Sequence, residues 1–152
     1  MPATRLLILL LLSIFAKGAF AYDLTQHLWR DRLLFLVAPS AEDRTLLHKR
    51  GEIDRRDDAL VDRDMVFFQI NADQGSRGEL VLDASQVQQL RDQLNVERHD
   101  RVMILVGKDG GIKRRAPLEA DLREIFLQVD TMPMRQTEIR AKKRAGEKVT
   151  LP

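Results

Sequence analysis

Val102-Met103-Ile104-Leu105-Val106-Gly107-Lys108-Asp109-Gly110-Gly111-Ile112-Lys113-Arg114-Arg115 is the stretch on which the fold turns. Its first five residues form a continuous apolar run with no alternation, the pattern of a strand buried on both faces. Asp109-Gly110 is a strong tight-turn signal. The returning residues Ile112 to Arg115 are polar enough for the edge of a sheet. A central strand that folds back into a polar edge strand closes one side of a sheet. Downstream, Pro117 suits the first turn of a final helix. Leu118, Leu122, Ile125, Phe126 and Val129 follow the spacing of one buried helical stripe, and Pro133 ends or kinks that helix.

Upstream, Leu33-Leu34-Phe35-Leu36-Val37 and Met65-Val66-Phe67-Phe68-Gln69-Ile70 are two further buried strands. Between them, Ser40 with Asp43 three positions on resembles a helix cap with an acidic partner. Leu46, Leu47, Ile53 and Leu60 are the apolar positions of that segment, and Gly51 is expected to interrupt it. Asp54-Arg55-Arg56-Asp57-Asp58 is a solvated, mixed-charge face. Asn71 to Gly78 is a loop; it lacks the acidic first position and the terminal glutamate of a calcium loop. Leu80-Val81-Leu82 is a short extended piece. Asp83 caps a helix with Gln86 at its third position, and Val87, Leu90 and Leu94 share one face. The order strand–helix–strand–helix–strand–strand–helix requires crossover helices for the parallel strands and only a hairpin for the last pair. The expected class is α/β, a thioredoxin-like three-layer sandwich with a mixed sheet and a C-terminal β-hairpin plus helix.

The start of the chain carries a different message. Arg5, the apolar run Leu6 to Ala16 and the small residues Ala19 and Ala21 are the three parts of a secretory signal peptide. The run is too short to span a bilayer, which takes roughly 20 residues. Cleavage after Ala21 would leave a mature chain from Tyr22, in the periplasm or secreted. Removing Arg5 and Lys17 lowers Lys+Arg from 25 to 23, against 23 Asp+Glu, so the mature charge is balanced. That balance points away from nucleic acid as a partner. The 152 residues contain no cysteine, which excludes disulfides, thiolate metal sites, Cys nucleophiles and a lipid anchor on Cys. The expected domains are residues 1–21 as signal peptide, 22–138 as one folded domain, and 139–152 as a polar, basic, disordered tail.

Several segments together carry a resemblance: Trp29-Arg30-Asp31-Arg32-Leu33-Leu34, Asp62-Arg63-Asp64-Met65-Val66, Leu105 to Lys113, and Asp130-Thr131-Met132-Pro133-Met134-Arg135. The chain resembles a thioredoxin-like domain of unknown function. That domain is found in small exported bacterial proteins and in sushi-repeat and "down-regulated by oncogenes" extracellular proteins. The resemblance implies a thioredoxin-like fold and export, and no established activity. Redox thioredoxins carry their Cys pair at the N-terminus of the first helix, where the helix dipole lowers the thiol pKa. This chain has Pro39-Ser40-Ala41-Glu42-Asp43 there. No proline precedes the third strand. Thiol–disulfide exchange needs a thiolate, so thiol-dependent redox activity is excluded.

Chemistry has few other places to sit. Gly107 to Gly111 lacks the spacing and the Ser/Thr of a P-loop and is a hairpin turn, with Lys108 and Lys113 as candidate anion contacts. His27, His48 and His99 lack short ligand spacing and are expected on the surface; no metal or cofactor is expected. Ser40 has no adjacent base to activate it. Trp29 is expected as an anchor at the core edge. The tail cations Arg140, Lys142, Lys143 and Arg144 offer a weak electrostatic contact with an anionic surface. A candidate interaction surface joins Lys108, Asp109 and Lys113 to Asp130, Met132, Met134 and Arg135. Its partner would be another exported or envelope protein, and the leading function is non-catalytic protein binding. The competing reading is a cysteine-free enzyme using Asp64, Lys108, Asp109 and Asp130 in a charged cleft.

Overall fold

The computed structural model describes residues 22–72 and 74–152. The leader with Ala19 and Ala21, and Asp73 of the 71–78 loop, lie outside the described residues.

A short 3-10 turn, Leu24–His27, precedes strand β1 (Arg32–Val37). Helices α1 (Arg44–Asp54) and α2 (Asp57–Asp62) lead to β2 (Met65–Ile70). The hairpin strands β3 (Gly75–Arg77) and β4 (Leu80–Leu82) precede α3 (Ala84–Leu94). Strands β5 (Val102–Val106) and β6 (Ile112–Pro117) are followed by α4 (Leu122–Thr131) and α5 (Pro133–Arg144). The six strands form one sheet in the order β4-β3-β2-β1-β5-β6. β1 pairs parallel with β2, and every other pair is antiparallel.

The layers follow from the two-residue period of a strand. Leu34 and Leu36 of β1 and Met103 and Leu105 of β5 pack with Leu46, Ile53, Leu60, Leu122, Ile125, Phe126 and Val129. Leu33, Phe35 and Val37 face the opposite way, onto Val87, Leu90 and Leu94 of α3 and onto Tyr22. Because β1 is buried on both faces, its sequence shows no polar alternation at all.

Five local expectations differ, the first being that the loop expected from Asn71 to Gly78 carries strand β3 (Gly75–Arg77). Asp43, not Ser40, caps α1: its Oδ1 accepts from the N–H groups of Thr45 (2.9 Å) and Leu46 (3.0 Å). Gly51 does not interrupt α1; a glycine costs a helix interior about 1 kcal/mol without ending it, and the break comes at Arg55–Arg56. Pro117 closes β6 rather than opening a helix. On an edge strand its missing N–H forfeits no ladder bond, and α4 starts from Asp121, whose side chain caps Arg123. The region from Gln136 is not a frayed tail: α5 runs to Arg144, with Pro133 in its first turn as proline prefers. The cap of α3 is as expected, a reciprocal pair in which Asp83 accepts from the Gln86 N–H and Gln86 accepts from the Asp83 N–H.

Candidate functional site

The β5–β6 turn closes as Asp109-Gly110 requires. Gly110 donates to the Gly107 carbonyl (2.9 Å), and Gly107 to the Gly111 carbonyl (2.9 Å). Gly110 sits at φ +78°, a backbone that favours glycine, and a Cβ there would come within 2.7 Å of the tip of the Leu28 side chain. The Asp109 carboxylate accepts from the Gly111 N–H (3.1 Å) and from Lys113 Nζ (2.6 Å). Those hydrogen bonds, led by the one from Lys113, hold its carboxyl below the ordinary value.

Lys108 turns the other way. Its Nζ lies 2.7 Å from Asp64 and 2.8 Å from Glu138, and its side chain is almost completely covered. Glu138 also accepts both guanidinium nitrogens of Arg32, at 3.0 and 3.1 Å. Arg32 is buried at the start of β1 and donates to the Arg63 carbonyl as well (2.7 Å). Arg63 donates to Asp130 (2.6 Å) and lies over the Phe126 ring at 4.9 Å. Arg135 bonds Asp130 (3.1 Å), the Asp62 carbonyl (2.6 Å) and the Asp62 carboxylate. Lys142 adds a 2.6 Å bond to Asp62, and the Thr150 N–H a further one at 3.2 Å. Arg63, Arg135 and Arg32 are all sealed from solvent.

This web ties α5 to the starts of β1 and β2 and to the end of α4. Burial disfavours the charged form of Asp62, but the bonds from Lys142 and Arg135 outweigh it and keep the carboxyl low. Glu138 follows the same logic: burial opposes its charge, and Arg32 and Lys108 more than compensate.

The proposed contact residues therefore divide. Arg135 is fully buried and Lys108 nearly so, so neither is free to meet a partner; both hold the framework. Asp130 is consumed by Arg63 and Arg135. Asp109, Lys113 and Met134 remain open, and Met132 is half-buried against the core. Lys113, Asp109 and the Met132-Pro133-Met134 segment line one cleft of about 280 Å³ together with Arg32, Gly107 and Lys108. The enzyme reading needed Asp64 and Asp130 in one cleft with Lys108 and Asp109, yet neither lines it.

Beside the hairpin, Trp29 is 68% exposed and not a core anchor. Its backbone is left-handed (φ 61°) and its N–H donates to the Lys108 carbonyl (2.6 Å). His27 is buried rather than on the surface. Its Nδ1 lies 2.6 Å from Asp31, its Nε2 3.0 Å from the Tyr22 hydroxyl, and Arg77 donates to that hydroxyl at 2.7 Å. Among the described residues, no group of three or more His, Asp or Glu side chains is gathered as a metal site. No helix among them is long and apolar enough to cross a membrane.

Sequence reasoning gave Arg32, Asp62, Arg63 and Glu138 no role, and it placed Lys142 among the outward tail cations, whereas Lys142 Nζ is committed to Asp62. A signal existed: Arg32 and Arg63 abut apolar strand runs, where an unpaired charge would be costly.

At the N-terminus of α1, Ser40 accepts from the Glu42 N–H (3.2 Å), and Asp43 pairs with Arg101. Arg101 also reaches Thr45 Oγ1 (2.9 Å) and Glu119 (2.8 Å). The described residues contain no cis peptide bond.

A parallel β1–β2 pair, a C-terminal hairpin and helices on both faces define a thioredoxin-like fold, whose first helix opens on Asp43. Two solved peroxiredoxins share that fold. The reduced 2-Cys peroxiredoxin of Plasmodium vivax superposes with a TM-score of 0.60 at 14% identity, covering 75% of this chain and 84% of its own. The mitochondrial 2-Cys peroxiredoxin of Plasmodium falciparum superposes with a TM-score of 0.55 at 14% identity, covering 84% and 86%. The chain belongs to the family described as "Domain of unknown function (DUF4174)", which matches residues 23–138. No curated protein sequence matches it.

Proposed function

We propose that this chain is an exported, non-catalytic thioredoxin-like protein that binds another exported or envelope protein through the cleft between the β5–β6 hairpin and Met132–Met134. The observation that carries this reading is the character of the cleft. Exposed charges (Asp109, Lys113) and a Met-Pro-Met segment line it together, and adaptable methionine surfaces suit protein contacts. The buried ion pairs hold both segments in register, so the surface is preorganised and loses little entropy on binding. The strained Trp29 backbone beside it supports the same reading, because strain persists where function uses it. Export rests on the three-part leader, and kinship with sushi-repeat extracellular proteins rests on the Gly107–Lys113 and Asp130–Arg135 segments.

The test is a photo-crosslinking amino acid placed in the full chain at Met134, with a control at Val81. Val81 is exposed on β4, at the opposite edge of the sheet. The expected result is one discrete periplasmic or secreted adduct at Met134, absent at Val81 and lost on Lys113→Glu. Identical adducts at both sites, or none at Met134, would remove the cleft as the contact.

A further inference from the structure

The two sides of α5 are built for different neighbours. Its inner residues Arg135, Glu138 and Lys142 are committed to ion pairs with Asp62, Asp130, Arg32 and Lys108. Arg140, Lys143 and Arg144 occupy the opposite side, one helical turn apart as i, i+3 and i+4. All three are exposed. Among the described residues, none of them has a carboxylate within ion-pair distance. Their hydrogen bonds are local: Arg140 to Thr137 Oγ1 at 3.0 Å and Arg144 to the Arg140 carbonyl at 3.3 Å. Elsewhere, exposed cations are paired where a carboxylate is in reach, as with Arg101, Lys113 and Arg114.

We infer that the outer face of α5 docks on an anionic lipid surface through Arg140, Lys143 and Arg144. The three side chains alone border one shallow, open concavity. Such a shape does not desolvate a single bound ion, whereas it presents three cations together to a plane of headgroup phosphates. Like charges on one helix face repel, and an anionic plane converts that repulsion into attraction. The buried ion pairs keep α5 on the body while its outer face is engaged. This contact is separate from the protein-binding cleft and does not rest on it.

The probe is co-sedimentation of the full chain with phosphatidylcholine vesicles and with vesicles of phosphatidylcholine plus anionic phosphatidylglycerol. Binding should require the anionic lipid and weaken sharply at high salt, as surface electrostatics does. Arg140→Gln/Lys143→Gln/Arg144→Gln should lower partitioning on the order of a hundredfold, each cation contributing about a fivefold factor. The hydrogen bonds of these side chains stay within α5, so circular dichroism should be unchanged. Arg50→Gln/Arg55→Gln/Arg123→Gln removes the same net charge elsewhere and should leave binding nearly intact. Equal loss in both variants, no binding to anionic vesicles, displacement by millimolar inorganic phosphate, or binding to a soluble polyanion such as heparin but not to vesicles would each overturn the inference.

Discussion

Trp29 combines a bulky, mostly solvated indole with a backbone in the region that L-residues avoid. That conformation disfavours a side chain by roughly 1–2 kcal/mol, and glycine escapes the penalty. Trp29→Gly is therefore expected to be more stable than Trp29→Ala by about 1 kcal/mol in urea unfolding followed by circular dichroism. The opposite order would mean that the indole contributes packing that its exposure does not reveal. Asp64 is also left-handed (φ 48°), but aspartate tolerates that region, and its carboxylate is needed by Lys108. At this scale the sequence was legible where chemistry is local: the Asp109-Gly110 turn and the Asp83/Gln86 cap are both as read. It was not legible where a residue's surroundings come from far along the chain. His27 looks like a surface histidine until Phe68 of β2 packs edge-on against its ring, centroids 6.0 Å apart.

At the scale of elements, the three buried strands announce themselves because runs such as Leu33–Val37 have no other home. α5 is the contrast. Its inner face is ionic, so apolar periodicity is blind to it, and charges usually signal solvent. Glu138 is the keystone, accepting from both Arg32 and Lys108. Removing one partner of a buried ion pair costs about 3–5 kcal/mol, because the other is left without compensation. Glu138→Gln is expected to lose about 3 kcal/mol, read as a lower urea midpoint. The pH dependence has a definite sign. The folded pKa of Glu138 lies below its unfolded value, so its contribution is complete above the unfolded pKa of about 4.3. It is lost as pH falls through the lower, folded value. Wild-type stability should therefore drop on acidification below about pH 4.3, and the Glu138→Gln profile should be flatter there. Parallel profiles would show that Glu138 is not charged in the folded protein.

For the molecule as a whole, the layered architecture was readable from element order, since parallel strands force crossovers and a strong turn forces a hairpin. The β3 strand and the division of labour among charged residues were not, because both depend on which surfaces the closed sheet brings together. The absence of cysteine has a simple bearing on the likeness to peroxiredoxins: the scaffold is shared and the sulfur chemistry is not. One further property follows from the position of Trp29. It is the sole tryptophan, and water surrounds most of it in the native state. Its emission should already be near the red limit before denaturant is added, making intrinsic fluorescence a poor gauge of unfolding. The same indole stands beside the hairpin, so a blue shift on mixing with an extract would register a docked partner without any attached dye.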